Sequence, residues 1–404
     1  MATHVIARSV TATLPVPLPA DAAPGIYIHV PFCRRICPYC DFNTYAGQDS
    51  LLPAYVDAVI CEIERTAEAY GATDAPTLFF GGGTPSLLAP GQIGRIIDAT
   101  RRHLGLLINA EVTLEANPEG LDESVLRELR AAGINRLSMG VQSQQRAGLR
   151  VLGRGHTAET ATTALAAART AGFDNISLDL IFGWPGQSLK DWDADLQVIL
   201  DWSPEHVSLY SLIVEPGTPM HEAVKRGILT PVDDDSTADM YELAVERLGA
   251  AGWEHYEIAN WAREPRFRSR HNQLYWQNGP YHGIGAGAFG TVGGTRASNH
   301  LLPSRYISAM ESDEPPRAVS EAISPVTALG ETMMLGLRLL VDGVSANDVL
   351  ARHGVALRDH FAGEIERFRS IGLLEWHGLG DERLRLTSRG ALLANDVCAA
   401  FLPS

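Results

Sequence analysis

One pattern constrains this chain more than any other. Six short apolar runs, nearly all ending on a cysteine, glycine or polar motif, are separated by helix-like runs. The runs are Ile26–Val30, Thr77–Phe80, Glu111–Glu115, Arg136–Val141, Ile176–Phe182 and His206–Ile213. Between them, apolar residues recur at helical spacing over Leu52–Tyr70, Ile93–Leu104, Asp122–Ala132, Ala158–Ala171 and Leu189–Leu200. Asp122 suits a helix N-cap and Gly172 a helix stop. Repeated strand–helix units predict a parallel sheet with right-handed crossovers, wound into an open sheet or a barrel. Motifs at nearly every strand's C-terminal end favour a barrel-like site on that rim.

The first run leads directly into Cys33-Arg34-Arg35-Ile36-Cys37-Pro38-Tyr39-Cys40. Three soft thiolates on one tight loop can hold three corners of an iron–sulfur cube and leave the fourth iron open. Three quarters of a zinc site is the competing reading, but a closed zinc site wants a second ligand pair and none accompanies these cysteines. Cys61 and Cys398 lie singly in helix-like runs and read as small apolar residues. Five cysteines with three clustered are no disulfide framework, and free thiols imply a reducing compartment.

The loop closely resembles that of radical S-adenosylmethionine (SAM) proteins, in which SAM chelates the fourth iron. Tyr27-Ile28-His29-Val30-Pro31-Phe32-Cys33 and Cys40-Asp41-Phe42 resemble the oxygen-independent coproporphyrinogen III oxidase group. The resemblance implies a partial (β/α)6 barrel, a [4Fe–4S] cluster on Cys33, Cys37 and Cys40, bound SAM, and its reductive cleavage by an electron from a flavodoxin-type donor. Gly81-Gly82-Gly83-Thr84-Pro85 resembles the family's glycine motif, and a glycine turn lets backbone approach a ligand closely. Gln142, Arg154 and Asp179 match SAM-contacting positions one by one, as do Tyr27, Gly82, Gly83 and Thr84. Tyr39, Phe42 and Glu115 complete the expected set. On chemistry, Glu115 suits the ammonium or ribose and Arg154 the carboxylate, although each alone fits an ordinary structural bond as well.

Two features bear on the branch. The oxidases carry a further cysteine two residues after the third, and Phe42 stands there. Arg270-His271-Asn272-Gln273-Leu274-Tyr275-Trp276 resembles the H-N-x-x-Y-W motif of the heme chaperone (HemW-type) branch. Imidazole is a natural heme ligand, so His271 is a candidate, with Asn272, Tyr275 and Trp276 beside it. A folded aromatic turn with a hydrogen-bonded histidine is the alternative. The resemblance implies a heme chaperone that passes heme to an acceptor protein; the runner-up is the oxidase, which decarboxylates two propionates of coproporphyrinogen III.

The remaining chain sets bounds. Residues 1–25 read as a flexible tail, with Pro15, Pro17 and Pro19 breaking any helix. They hold no acid before Asp21, as in a mitochondrial targeting peptide, but only one arginine, Arg8. Residues 26–235 form the expected barrel, and 236–315 an extension with a helix over Thr237–Ala250 and a strand over His255–Trp261. Gly279–Gly294 reads as a loop where backbones come close. Residues 316–404 predict a small, mainly helical, winged-helix-like domain, with runs at Val326–Leu340, Ser345–Arg352 and Leu357–Ile371, a hairpin at Leu373–Leu386 and a helix at Ser388–Phe401. Residues 321–404 hold eight Lys/Arg against eleven Asp/Glu, and the whole chain carries −15, so nucleic-acid binding is not expected. No run of about 18 apolar residues occurs, so no transmembrane helix is expected, and the predicted location is cytoplasmic.

Overall fold

The computed structural model describes residues 22–312, 314–380 and 382–403, so the proposed N-terminal tail lies almost wholly outside the described residues. Six strands, Gly25–Val30, Thr77–Gly82, Glu111–Ala116, Arg136–Gln142, Ile176–Phe182 and His206–Ser211, lie side by side in chain order, all parallel. Helices Leu52–Tyr70, Pro90–Leu104, Glu123–Ala132, Ala158–Thr170 and Leu189–Trp202 return the chain between them. The sheet is open, so the six units make a partial barrel.

Side-chain alternation explains the winding. Ile26, Ile28, Leu78, Phe80, Val112, Leu114, Leu137 and Met139 join the main core. Their neighbours Tyr27, Phe79, Thr113, Glu115, Arg136, Ser138, Ser177, Asp179, His206 and Ser208 share the other, concave face. Strands buried on both faces are usually apolar on both. Here the inner face is polar, so the sheet curls around a polar lumen rather than a second core.

The helices end where local chemistry stops them. Asp122 accepts from the Val125 amide as N-cap, and Gly133 follows the last turn at φ +116°. Gly105 takes the left-handed conformation after Pro90–Leu104, with Arg101, Arg102 and His103 in the last turn against the helix dipole.

Four details differ from the sequence reading. His255–Trp261 is a tight hairpin of two strands, Glu254–Glu257 and Asn260–Ala262, because the chain reverses at Ile258 and Ala259. The glycine-rich run holds two strands. Tyr281–Ile284 pairs parallel with the first barrel strand, and Phe289–Val292 folds back along it. A side chain at Gly283 would collide with the Phe289 carbonyl, so the close backbone approach is real. Arg317–Ala322 is the edge strand of this same sheet, beside Thr295–Asn299, so the turn to the C-terminal helices falls after Ala322 rather than at 316. The helical runs Leu357–Ile371 and Ser388–Phe401 each break in two, at Phe361 and Leu393.

The C-terminal part has its own core around Leu337, Val349, Phe368, Leu384 and Val397, with a three-stranded sheet of 344–345, 383–386 and 374–377. It docks on the extension through a buried ion pair, Arg268 with Asp342 at 3.0 Å, and Glu254 of the extension holds the same guanidinium at 2.7 Å. Arg352 donates to the carbonyls of Gln277 and Asn278, each at 2.8 Å.

Candidate functional site

The strand ends place the predicted residues on one rim. The Gly83 amide donates to the Val30 carbonyl at 2.9 Å, and the Thr84 amide to Phe32 at 2.8 Å. The glycine turn is thus strapped to the stem of the cysteine loop. Gly82 sits at φ +110°, and a Cβ there would strike the His29 ring. A Cβ on Gly83 would lie 2.6 Å from the Phe32 carbonyl and 2.8 Å from that of Val30. Glycine at both positions is a steric requirement.

The three cysteines are free thiols, Cys33 buried and Cys37 and Cys40 half-buried. The Cys40 amide donates to the Cys37 carbonyl at 3.1 Å, closing the tight turn. Burial raises both Cys33 and Cys40 thiols, and the Thr84 hydroxyl, 3.5 Å from the Cys33 sulfur, works against this for Cys33. Among the described residues no three His, Cys, Asp or Glu side chains converge on one point as a single metal ion requires.

Arg154 reaches across to this loop. Its Nη1 lies 3.5 Å from the Cys37 sulfur; its Nη2 donates to the Gly140 carbonyl at 3.0 Å and to Asn117 Oδ1. Gly153 lets the Arg154 segment touch Pro38 of the cysteine loop, where a Cβ would lie 2.5 Å from that ring. Tyr39 packs with Leu152, Ile181 and Trp184 against the rim. Phe42 is 66% exposed.

Below the rim, Glu115 accepts from the Gly82 amide at 3.1 Å, and burial first, then the nearby Asp179, raises its carboxyl to about 7. Asp179 accepts from Ser138 at 2.9 Å and Ser177 at 3.1 Å, and burial raises it too. Tyr27 donates to or accepts from His29 Nδ1 at 2.9 Å. Gln142 takes φ +64°, a left-handed conformation that favours glycine, and its buried Oε1 has no partner. A strained residue holding an orphaned polar atom at the rim is what a polar ligand would satisfy. Thiols, glycine cradle, raised carboxyl and orphaned amide together fit a cluster with SAM.

Two contributors were missed. Asn117 bridges Arg154 and the Thr84 hydroxyl, 3.3 Å from its Nδ2. His29 bonds Tyr27 and the Asn43 carbonyl, pinning the far side of the cysteine loop. Position was the available signal: Asn117 follows a strand end, and His29 alternates with Tyr27.

The structure places the His271 group elsewhere, on helix Arg270–Trp276 at the opposite end of the strands. His271 is 1% exposed and stacks on Phe79. Its Nδ1 bonds Thr77 Oγ1 at 2.8 Å, its Nε2 bonds the Tyr275 hydroxyl at 2.7 Å, and burial lowers its pKa to about 3. Both ring nitrogens are engaged, so ligation of an iron here requires one of these bonds to open. The Asn272 main-chain N–H donates to the Ser269 cap hydroxyl, and Trp276 lies under the Arg338 guanidinium. The group forms a hydrogen-bonded aromatic turn.

Comparison with known proteins agrees with this geometry. Residues 27–199 match the Radical SAM superfamily and 323–393 the HemN C-terminal domain. The chain is 38% identical over 377 residues to the heme chaperone HemW of Bacillus subtilis (strain 168), covering 93% of this chain and 98% of that one. It is 38% identical over 405 residues to the heme chaperone HemW of Mycobacterium tuberculosis (strain H37Rv), covering 98% and 100%. It is 33% identical over 401 residues to the mitochondrial radical S-adenosyl methionine domain-containing protein 1 of Mus musculus, covering 96% and 89%. The solved coproporphyrinogen III oxidase HemN from Escherichia coli superposes with a TM-score of 0.80 at 23% identity, covering 95% and 92%, and shares the fold.

Proposed function

The chain belongs to the HemW family of radical SAM proteins, and from that premise we propose that it is a heme chaperone that binds heme, a [4Fe–4S] cluster and SAM and hands heme to an acceptor protein. The observation that carries the reading is likeness along the whole chain, 93% of it at 38% identity, to a protein named a heme chaperone. Phe42, where the oxidases have cysteine, supports the same branch.

Cys33, Cys37 and Cys40 would hold the cluster, whose chemistry with SAM is one-electron cleavage of a carbon–sulfur bond. The chain's own part is binding and exclusion of water. Gly82 and Gly83 open the backbone to the ammonium, and Glu115 offers it a carboxylate. Arg154, held over Cys37 by Asn117 and Gly140, carries the positive charge suited to the SAM carboxylate. Gln142 Oε1 is free for a hydroxyl or base edge. An electron donor of flavodoxin type is part of the proposal, and the thiols call for a reducing compartment. Among the described residues no helix is long and apolar enough to cross a membrane.

The proposed SAM-binding residues are those the oxidase would also use, and this keeps the oxidase as the second reading. Anaerobic purification with iron, sulfide and heme measured together tests the first; all three are expected. An anaerobic assay with coproporphyrinogen III, SAM and a reductant is expected to give no protoporphyrinogen. Robust turnover would overturn the chaperone reading in favour of the oxidase.

A further inference from the structure

The sealed state of His271 raises the question of where heme would sit. A cleft of about 450 Å³ opens between the chain following the His271 helix and the C-terminal helices. That volume falls in the range of small-molecule sites, roughly 300–1,000 Å³. Its walls are apolar, built from Pro280, Pro325, Leu329 and Val355. Val326, on the same wall, is 62% exposed, an apolar surface left to water.

Three polar groups break the apolar lining. His360 is exposed, its ring makes an edge contact with Phe361, and it carries no hydrogen bond or ion pair among the described residues. His353 is half-buried, with Nε2 committed to the Thr332 hydroxyl at 3.0 Å. Arg352 braces the carbonyls of Gln277 and Asn278 and brings a guanidinium to the cleft, with Asp348 nearby.

Apolar walls, an unbonded imidazole and a cation are the three things a heme asks for: a place for the macrocycle, an axial ligand, and a countercharge for propionates. Resting on the heme-chaperone reading, we propose that heme docks in this cleft with His360 as its axial ligand, and that His271 serves as a structural plug of the barrel. The cleft adjoins the H-N-x-x-Y-W helix, since Arg352 grips the two residues after Trp276.

Hemin titration of the full chain, followed by the Soret band, tests this. His360→Ala is expected to weaken binding at least tenfold and to change the coordination spectrum, with the thermal midpoint unchanged. Val326→Trp, which fills the cleft and leaves the ligand in place, is expected to weaken binding as well. His271→Ala is expected to lower the thermal midpoint and leave the heme spectrum as in the wild type. Wild-type binding in both cleft variants, or loss of the Soret shift only in His271→Ala, overturns the cleft assignment. Failure of the unaltered chain to bind hemin overturns the chaperone reading itself.

Discussion

Replacing Gly83 with alanine tests how the cysteine loop is held. The new methyl would lie 2.6 Å and 2.8 Å from the Phe32 and Val30 carbonyl oxygens, both main-chain atoms. No side chain can turn aside, so the loop stem must move. Moving it opens the Gly83–Val30 and Thr84–Phe32 hydrogen bonds, of 2.9 Å and 2.8 Å. Each bond contributes about 1 kcal/mol net, and overpacking costs about 1–3 kcal/mol more. The loop's ordered state should lose about 3–5 kcal/mol, roughly two to three and a half powers of ten in the equilibrium that presents three thiols together. The assay is iron and labile sulfide per chain after anaerobic reconstitution at limiting iron, with a marked loss expected. Gly91→Ala is the control: it lies in the first turn of a helix with nothing within 4 Å of the added carbon, and should load normally. A Gly83→Ala protein that loads iron like the wild type, with an unchanged thermal midpoint, would refute the strapping argument.

Cys37→Ser should lower cluster iron and its broad visible absorption; unchanged iron content would contradict the ligand assignment. Glu115, raised to about 7, should make SAM affinity increase as pH rises from 6 to 8, because the ammonium favours the ionised carboxylate. Glu115→Gln should flatten that profile in calorimetry, and an equally steep profile in the variant would assign the pH dependence to another group. The same shift runs the other way for stability: the contribution of neutral Glu115 is present below the unfolded value near 4.5 and is lost as pH rises through about 7. The SAM-free chain should lose that contribution between pH 5 and 8, read as a smaller fall in thermal midpoint for Glu115→Gln. His271→Ala leaves Thr77 and the Tyr275 hydroxyl without their partner, at about 1–3 kcal/mol each. Denaturant unfolding should shift clearly to lower concentration; no shift would mean the plug is not structural.

The barrel was legible because its strands advertise themselves twice, by alternation and by the motif that ends nearly every one. Ile26, Ile28 and Val30 alternate with Tyr27 and His29, and the cysteines follow. The edge strand Arg317–Ala322 was hidden because all six of its residues are exposed, so no burial pattern reached the sequence. Tyr281–Ile284 was hidden among glycines that serve close packing against Phe289. The hairpin of Glu254–Ala262 carries aromatic and apolar residues straight through its turn, which reads as one strand. For the site, residue type and spacing pointed to the thiols, while the family resemblance gave the glycine turn its role and singled out Gln142, Arg154 and Asp179. The engagement of both His271 nitrogens was beyond reach, since Thr77 lies 194 positions away.

The parallel strand Tyr281–Ile284 has a consequence for synthesis. It lies against the first barrel strand, and the chain around it holds the cysteine loop: Asn43 donates to the carbonyls of Ala286 and Leu301, and Glu62 accepts from the Gly285 amide and Asn299. A ribosome releases the cysteines early, yet the residues that clamp their loop emerge some 240 to 260 positions later. During translation the thiols are therefore made long before they can be locked in place. Any thiol chemistry in that interval, oxidation above all, acts on cysteines that the later strands do not yet hold.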